Sequence, residues 1–314
     1  MQILRWAINP ELERETRNHY RTRFAHELKD KDPLEIIRQI TFDGEGEEIT
    51  LPDIKKVLGY VSKNFLPQLS GVGVELGAGP GTFSAIWASL SDLQKIYAVE
   101  VCPPIVELLT PKVSEYILGR DQDKIIGVIG DFDHLNLPDR SVDFIFDFFS
   151  LHHSSDINVT LKESARVLKE GGFVLCFDKA RPDHYSREDL NVLLDAEYPD
   201  YEKNLYGVVK GQKFTRRMNG EKEYRLKDWH SAFLGSGFKR FEHFHLSKTI
   251  GGSLISRTLK NIIAIFPGRF QPLLTRFMPK SVRHHAFVLV EENRVFVPAI
   301  NKFPKESSLL IAYR

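Results

Sequence analysis

Between residues 72 and 178 short apolar runs alternate with segments of helical periodicity. VGVEL (72–76) reads as a strand, TFSAIWASL (82–90) as a helix and KIYAVEV (95–101) as a second strand. PPIVELLTPKVSEYI (103–117) begins a second helix with prolines in its first turn, and KIIGVIG (124–130) is a third strand. The turn LPDRS (137–141) leads to the fourth, VDFIFDFF (142–149). LKESARVLKEGG (161–172) reads as a helix that stops at Gly171-Gly172, followed by the fifth strand, FVLCFD (173–178). Strands and helices alternating at this spacing predict βαβ units, right-handed crossovers and a parallel sheet.

The flanks follow other rules. Residues 1–70 read as helical: ELERETRNHYRTRFAHELK (11–29) has the acid/base spacings of an exposed helix, and a loop follows around TFDGEGEE (41–48). LPDIKKVLGYVSKNFLPQL (51–69) sets Ile54, Val57, Leu58, Val61 and Phe65 on one face, with Pro67 and Ser70-Gly71 ending it. Residues 179–224 are polar and aromatic without a clear strand. YRLKDWHSAFLGSGF (224–238) is a helix with a glycine stop, KRFEHFHLS (239–247) a strand and SSLLIAYR (307–314) another. This predicts a helical N-terminal cap over 1–70, a core over 71–247 with an insertion at 179–224, a substrate lid over 248–305 and a final core strand over 306–314.

Composition narrows the function classes. The chain has 314 residues, 42% hydrophobic and 27% charged, as expected of a globular protein with room for one α/β domain and additions. A formal charge of +1 supplies no chain-wide field for nucleic acid, and none is expected as a partner. The two cysteines, Cys102 and Cys176, sit in apolar surroundings, which argues against a disulfide framework or a zinc site and for a reducing cytoplasm; no metal is expected. No secretory signal and no bilayer-spanning run is visible.

The chemistry begins at Glu75-Leu76-Gly77-Ala78-Gly79-Pro80-Gly81-Thr82, which joins a strand to a helix. Glycines at alternate positions let the backbone turn sharply and approach a ligand, while the helix start presents unpaired N–H groups. A dinucleotide fingerprint would place its third glycine one position later, where this chain has Thr82. Glu75 would repel a pyrophosphate but suits an ammonium group, which favours an amino-acid-bearing nucleoside. Glu100 ends the second strand, where an acid can accept from both ribose hydroxyls. Asp131 ends the third and can accept from an exocyclic adenine amine, with Phe132 beside it to pack on the ring.

The order VELGAGPG, AVEV, GDFDHLNLPDRSVDFIFDFFSLHH and ARVLKEGGFVLCFD resembles the class I S-adenosylmethionine-dependent methyltransferases, most of all the broad branch acting on small molecules and lipids. The resemblance is strong over 72–178 and weak over 225–247. It implies a Rossmann-like, doubly wound, mostly parallel seven-stranded α/β sheet with the last strand antiparallel. It implies that Gly77, Ala78, Gly79 and Gly81 line the methionine and ribose, that Glu100 holds the ribose with Val101 and Cys102 under the adenine, and that Asp131 and Phe132 meet the adenine edge. Asp147 falls beside the methionine and the reactive methyl; small or amide residues are common there, so an aspartate is a departure and a candidate for substrate contact.

Methyl transfer from a sulfonium is an in-line displacement that needs positioning and, for a hydroxyl acceptor, a general base. Candidates are His152, His153, Asp147, Asp178 and His184, with Tyr185 beside the last. A small-molecule or lipid acceptor methylated on oxygen or carbon is expected; a non-catalytic binding protein and a protein methyltransferase are the alternatives. From Lys248 to Val290 the chain has Lys248, Arg257, Lys260, Arg269, Arg276, Lys280 and Arg283, no Asp or Glu, and interleaved apolar residues. That pattern suits a lid, a homodimer contact, or peripheral contact of a cytoplasmic protein with an anionic membrane.

Overall fold

In the computed structural model, which describes residues 1–17, 20–41, 50–206, 208–209, 211–248, 254–279, 293–297 and 308–314, the alternating pattern becomes one sheet. Its strands are β1 (Gln2–Arg5), β2 (Ser70–Leu76), β3 (Asp92–Glu100), β4 (Ile125–Ile129), β5 (Val142–Phe148), β6 (Leu168–Asp178), β7 (Arg240–Lys248), β8 (Arg294–Val297) and β9 (Ser308–Tyr313). They lie in the order β1-β4-β3-β2-β5-β6-β9-β7-β8. From β1 to β6 all neighbours are parallel; β9 runs antiparallel between β6 and β7. The fold is therefore the expected mostly parallel α/β sheet, with nine strands among the described residues rather than seven. The two extra strands are the edges. β1, in the segment read as helical, is four residues long and pairs with β4; β8, inside the long connection, pairs with β7, and neither has a second partner among the described residues.

Both sheet faces are covered, which is why β2–β6 are nearly continuous apolar runs. Along β6, Phe173, Leu175 and Phe177 join one core layer and Val174 and Cys176 the other, as the pleat requires. The helices before the sheet's centre are α1 (Pro10–Arg17), α2 (Tyr20–Leu28), α3 (Pro33–Thr41) and α4 (Leu51–Phe65). Thr50 and Asp53 form a reciprocal capping box at the start of α4, and Ile54, Val57, Leu58, Val61 and Phe65 are its buried face, as expected. α5 (Thr82–Leu90) packs beside it, and α6 (Thr110–Leu118, entered through a π-type turn at Ile105–Leu109) packs beside α5. Trp87 of α5 meets Phe144 and Phe146 edge-on, and burying rings of this size contributes roughly 1.5–3 kcal/mol each.

α7 (Ile157–Val167), capped by Asp156, ends earlier than the sequence suggests. Leu168 is already extended and pairs with Val142, so LKEGG begins β6 rather than closing a helix. Gly171-Gly172 serves a register shift between β5 and β6: Gly171 is left-handed, and a side chain at Gly172 would press on the Asp143 carbonyl.

Insertion 179–224 carries α8 (Arg187–Asp195) and α9 (Asp200–Leu205). Its two ends are tied to each other by Lys179–Glu221 at 2.6 Å and by Arg181, which donates twice to Glu223 at 2.6 and 2.9 Å, and the Lys222 N–H donates to the His152 carbonyl of the core at 2.9 Å. α10 (Leu226–Gly235) occupies the expected helix. The long connection contains α11 (Leu254–Ala264) and α12 (Gln271–Phe277) beside β8. Lys280, Arg283 and the remainder of 280–292 and 298–305, part of the expected lid, lie outside the described residues.

Candidate methyl-donor site

The strand order reverses at β2, whose neighbours are β3 and β5, and the carboxyl ends of the strands around such a point are where ligands bind. The loop there contains three left-handed glycines, Gly77 (φ 64), Gly79 (φ 50) and Gly81 (φ 76). Gly77 has a second constraint: a Cβ would collide with the Ser150 side chain, whose hydroxyl donates to the Gly77 carbonyl at 3.2 Å. Gly77→Ala should cost about 1–2 kcal/mol for its backbone alone, plus the collision. Thermal unfolding of Gly77→Ala and of Gly77→Ala/Ser150→Gly checks this: the double variant regains the collision part only. Wild-type melting of the single variant would show that the loop is free to shift.

Glu100 is buried and serves as a clamp. Its two oxygens accept from the Gly79 N–H and the Cys102 N–H, each at 3.0 Å, so one carboxylate fixes both the glycine loop and the end of β3. A carboxylate has about four acceptor sites, which leaves capacity for ribose hydroxyls. Arg21 of α2 stands 3.8 Å from it.

Glu75 is buried and accepts from the Ser84 hydroxyl, which ties β2 to α5. Burial pushes its carboxyl up to about 8; the Ser84 bonds oppose this and the Glu100 charge adds to it. The folded protein thus holds a proton that the unfolded chain, at 4.5, has released. This group's stabilising effect is greatest below pH 4.5 and is lost as pH rises toward 8. Glu75→Gln removes the decline, so urea unfolding should favour the variant increasingly across that window, by up to about 1.4 kcal/mol per pH unit. Parallel pH profiles for the two proteins would reject the assignment.

Asp131 lies just past β4 and caps the turn through the Asp133 N–H at 2.9 Å; burial raises its pKa, and the Asn9 backbone also faces it. Phe132 is half-buried in the layer containing Trp6 and Val128, and Val101 is half-buried. The Cys102 side chain is taken up by the N-terminal helices, 3.5 Å from the Thr22 hydroxyl and packed with Ala25, Ile36 and Ile105. Any contact it makes under an adenine falls to its backbone.

Asp147 is fully buried at the end of β5. One oxygen accepts from the Ser150 and Leu151 N–H groups at 3.1 and 3.0 Å, the other from the Cys176 thiol at 3.1 Å. Between these contacts Phe149 is left-handed (φ 53), a conformation a phenylalanine holds only when its surroundings impose it. Asp147 is thus the brace of a strained turn, with its pKa raised well above the usual range by burial and then by the neighbouring Asp178.

That turn aims the next residues. His152 Nδ1 lies 2.8 Å from Asp178 Oδ1, and the His152 N–H donates to Asp178 Oδ2 at 3.1 Å. Lys179 N–H also donates to Asp178, at 2.6 Å. A hydrogen bond donated by Nδ1–H to Asp178 leaves the lone pair of the imidazole on Nε2. His153 is exposed and stacks on His152 with centroids 4.4 Å apart. His184 and Tyr185 pack on each other in the loop before α8, where Arg225 holds the Tyr185 carbonyl. Ligand atoms of Asp147, Cys176 and Asp178 lie within 4.8 Å of one another, but the protein's own donors already occupy both carboxylates. The Asp178–His152 pairing and Arg21 were not legible as partners, being 26 and 79 positions from their mates with no motif linking them.

Residues 74–176 match the family described as methyltransferase domain. That stretch, which includes the glycine loop, Glu100, Asp131 and Asp147, is therefore similar to a methyltransferase domain. The chain is similar to the ubiquinone/menaquinone biosynthesis C-methyltransferase UbiE of Caulobacter vibrioides, 39% identical over 124 residues, covering 39% of this chain and 49% of that protein. It is similar to the mitochondrial 2-methoxy-6-polyprenyl-1,4-benzoquinol methylase of Arabidopsis thaliana, 33% identical over 168 residues, covering 52% and 56%. The chain thus spans about half the length of these curated relatives. Among solved structures, a putative methyltransferase of Bacillus halodurans aligns with a TM-score of 0.46 and 18% identity, over 82% of this chain and 97% of that one.

The geometry of the matched stretch would suit S-adenosylmethionine. The glycine cradle excludes a side chain at position 77, Glu100 keeps unused acceptor capacity, and the buried Glu75 carboxyl is countered by no positive side chain among the described residues. An ammonium group placed near Glu75 would bring that carboxyl back to its ionised form.

Proposed function

We propose that this protein transfers a methyl group to oxygen or carbon of a small, lipid-like acceptor, with His152 as general base and Asp178 as its positioning residue. The observation that carries the base assignment is the 2.8 Å pair between His152 Nδ1 and a fully buried Asp178, at the same sheet edge as the glycine loop. The cofactor supplies an electrophilic methyl on a sulfonium. Glu100, Glu75, Asp131 and the 77–81 backbone bind and orient it. His152 Nε2 takes the proton from the acceptor, and Asp178 fixes the tautomer and stabilises the imidazolium that results. Asp147 acts on this centre by holding the turn that presents His152, and the exposed His153 lies beside it at the site's open side. The names of the relatives, a quinone-pathway C-methyltransferase and a polyprenyl benzoquinol methylase, support an apolar acceptor.

Calorimetric titration with S-adenosylmethionine and S-adenosylhomocysteine tests the donor half: saturable binding of both is expected, and binding of neither sinks it. Transfer of labelled methyl into metabolite and lipid extracts tests the acceptor half, with label expected in the lipid fraction. Label confined to protein would replace this reading with protein methylation.

A further inference from the structure

α11 and α12 are built the wrong way round for a surface facing only water. α12 buries its uncharged polar residues and exposes apolar ones: Gln271 is 0% and Thr275 2% exposed, whereas Phe277 is 79% exposed and Leu273 and the preceding Phe270 lie on the same outward face. The buried polar side is a fastening. Gln271 donates to the Tyr60 hydroxyl and the Phe266 carbonyl, both at 3.0 Å, and accepts from the Phe296 N–H of β8 at 2.8 Å. α11 seats Ile263 and Ala264 against Phe296, yet its other face is also apolar. Leu254, Ile255 and Ile262 are exposed there, and Ile265, just beyond the helix, is 79% exposed. The turn between the helices is fixed to α4: the Gly268 N–H donates to Asn64 at 3.1 Å and Arg269 to the Phe65 carbonyl at 2.6 Å.

An apolar face on a rigid mount needs a cover, and its charge indicates which. Arg257 and Arg276 are exposed within it, and the sequence from 248 to 290 holds no Asp or Glu. A second copy packed face to face would set two like-charged rims together, whereas an anionic bilayer offers hydrocarbon to the apolar residues and phosphate to the arginines. Among the described residues no helix is long and apolar enough to cross a membrane, so the fit is to a surface rather than a span.

We infer that the outward face of α11 and α12 docks this protein on an anionic lipid surface. The inference is independent of methyl transfer, because the surface is described without reference to the cofactor loop. It is tested with the full chain and no cofactor, by co-sedimentation with phosphatidylcholine vesicles with and without phosphatidylglycerol. Binding is expected only to the anionic vesicles at low salt, fading as salt rises. Phe277→Glu and Ile265→Glu, both at exposed positions, should each weaken it about tenfold or more. Arg257→Gln and Arg276→Gln should each weaken it about fivefold. Three results overturn the inference: no sedimentation at low salt, sedimentation indifferent to the apolar substitutions, or a wild-type dimer in analytical ultracentrifugation that Phe277→Glu converts to monomer.

Discussion

Glu100→Ala should weaken S-adenosylhomocysteine binding by roughly a hundredfold to a thousandfold, measured by titration calorimetry. The size follows from how many things one carboxylate does. It accepts the Gly79 and Cys102 N–H groups at 3.0 Å inside a buried site, and stranding a buried donor costs about 1–3 kcal/mol. Losing both bonds, together with acceptor capacity for the ribose, therefore removes about 3–4 kcal/mol of affinity by conversion at 1.4 kcal/mol per tenfold. Part of the loss is loop order rather than direct contact. Glu100→Gln distinguishes the two, since an amide keeps the volume and one acceptor oxygen and should fall between alanine and wild type. Affinity within threefold of wild type for Glu100→Ala would remove Glu100 from the site. The ion pair with Arg21 adds a control: it is partly exposed at 3.8 Å, so Arg21→Met should change folding stability by less than about 1 kcal/mol.

Asp178→Asn should lower kcat for methyl transfer by on the order of a hundredfold, with S-adenosylhomocysteine affinity nearly unchanged. The substitution preserves shape and keeps one oxygen for the backbone donors, but an amide does not stabilise an imidazolium and permits the wrong histidine tautomer. His152→Asn should match or exceed this loss. Cofactor affinity separates chemistry from structure, because a lesion that merely loosened the turn would weaken S-adenosylhomocysteine binding as well as kcat. A full rate in either variant would move the base elsewhere. His153→Ala should leave kcat nearly unchanged, since His153 is exposed.

The central strands were legible because both faces of the sheet are covered: VGVEL, KIIGVIG and FVLCFD have no polar alternation to confuse them with an exposed strand. The acids at strand ends were legible for a related reason, since a charged residue closing an apolar run marks where the chain leaves the core. The edges were not. QILR is too short to establish a period and is mostly exposed, so nothing local separates it from a frayed helix start. Gly171-Gly172 was read as a helix stop because a strand bulge needs the same residue type for the same backbone freedom. Asp147 was visible as a carboxylate in the right place. Its work in bracing a left-handed Phe149 depends on two N–H groups that only the folded turn brings round. The His152–Asp178 pair depends on β5 and β6 ending side by side.

The position of β9 also bears on how the molecule assembles. Its register sets Phe173 opposite Tyr313 and Asp178 opposite Ser308, and its other side pairs with β7. β2 to β6 can associate through crossovers of shorter sequence separation, but β6 then presents an open hydrogen-bonding edge until a segment more than a hundred residues distant arrives. Closing that gap is the slowest kind of contact to form, and an unpaired strand edge recruits other chains in the interval. The half-built sheet is therefore the species from which this protein should aggregate, and its folding ends, rather than begins, with the strand that lies inside the sheet.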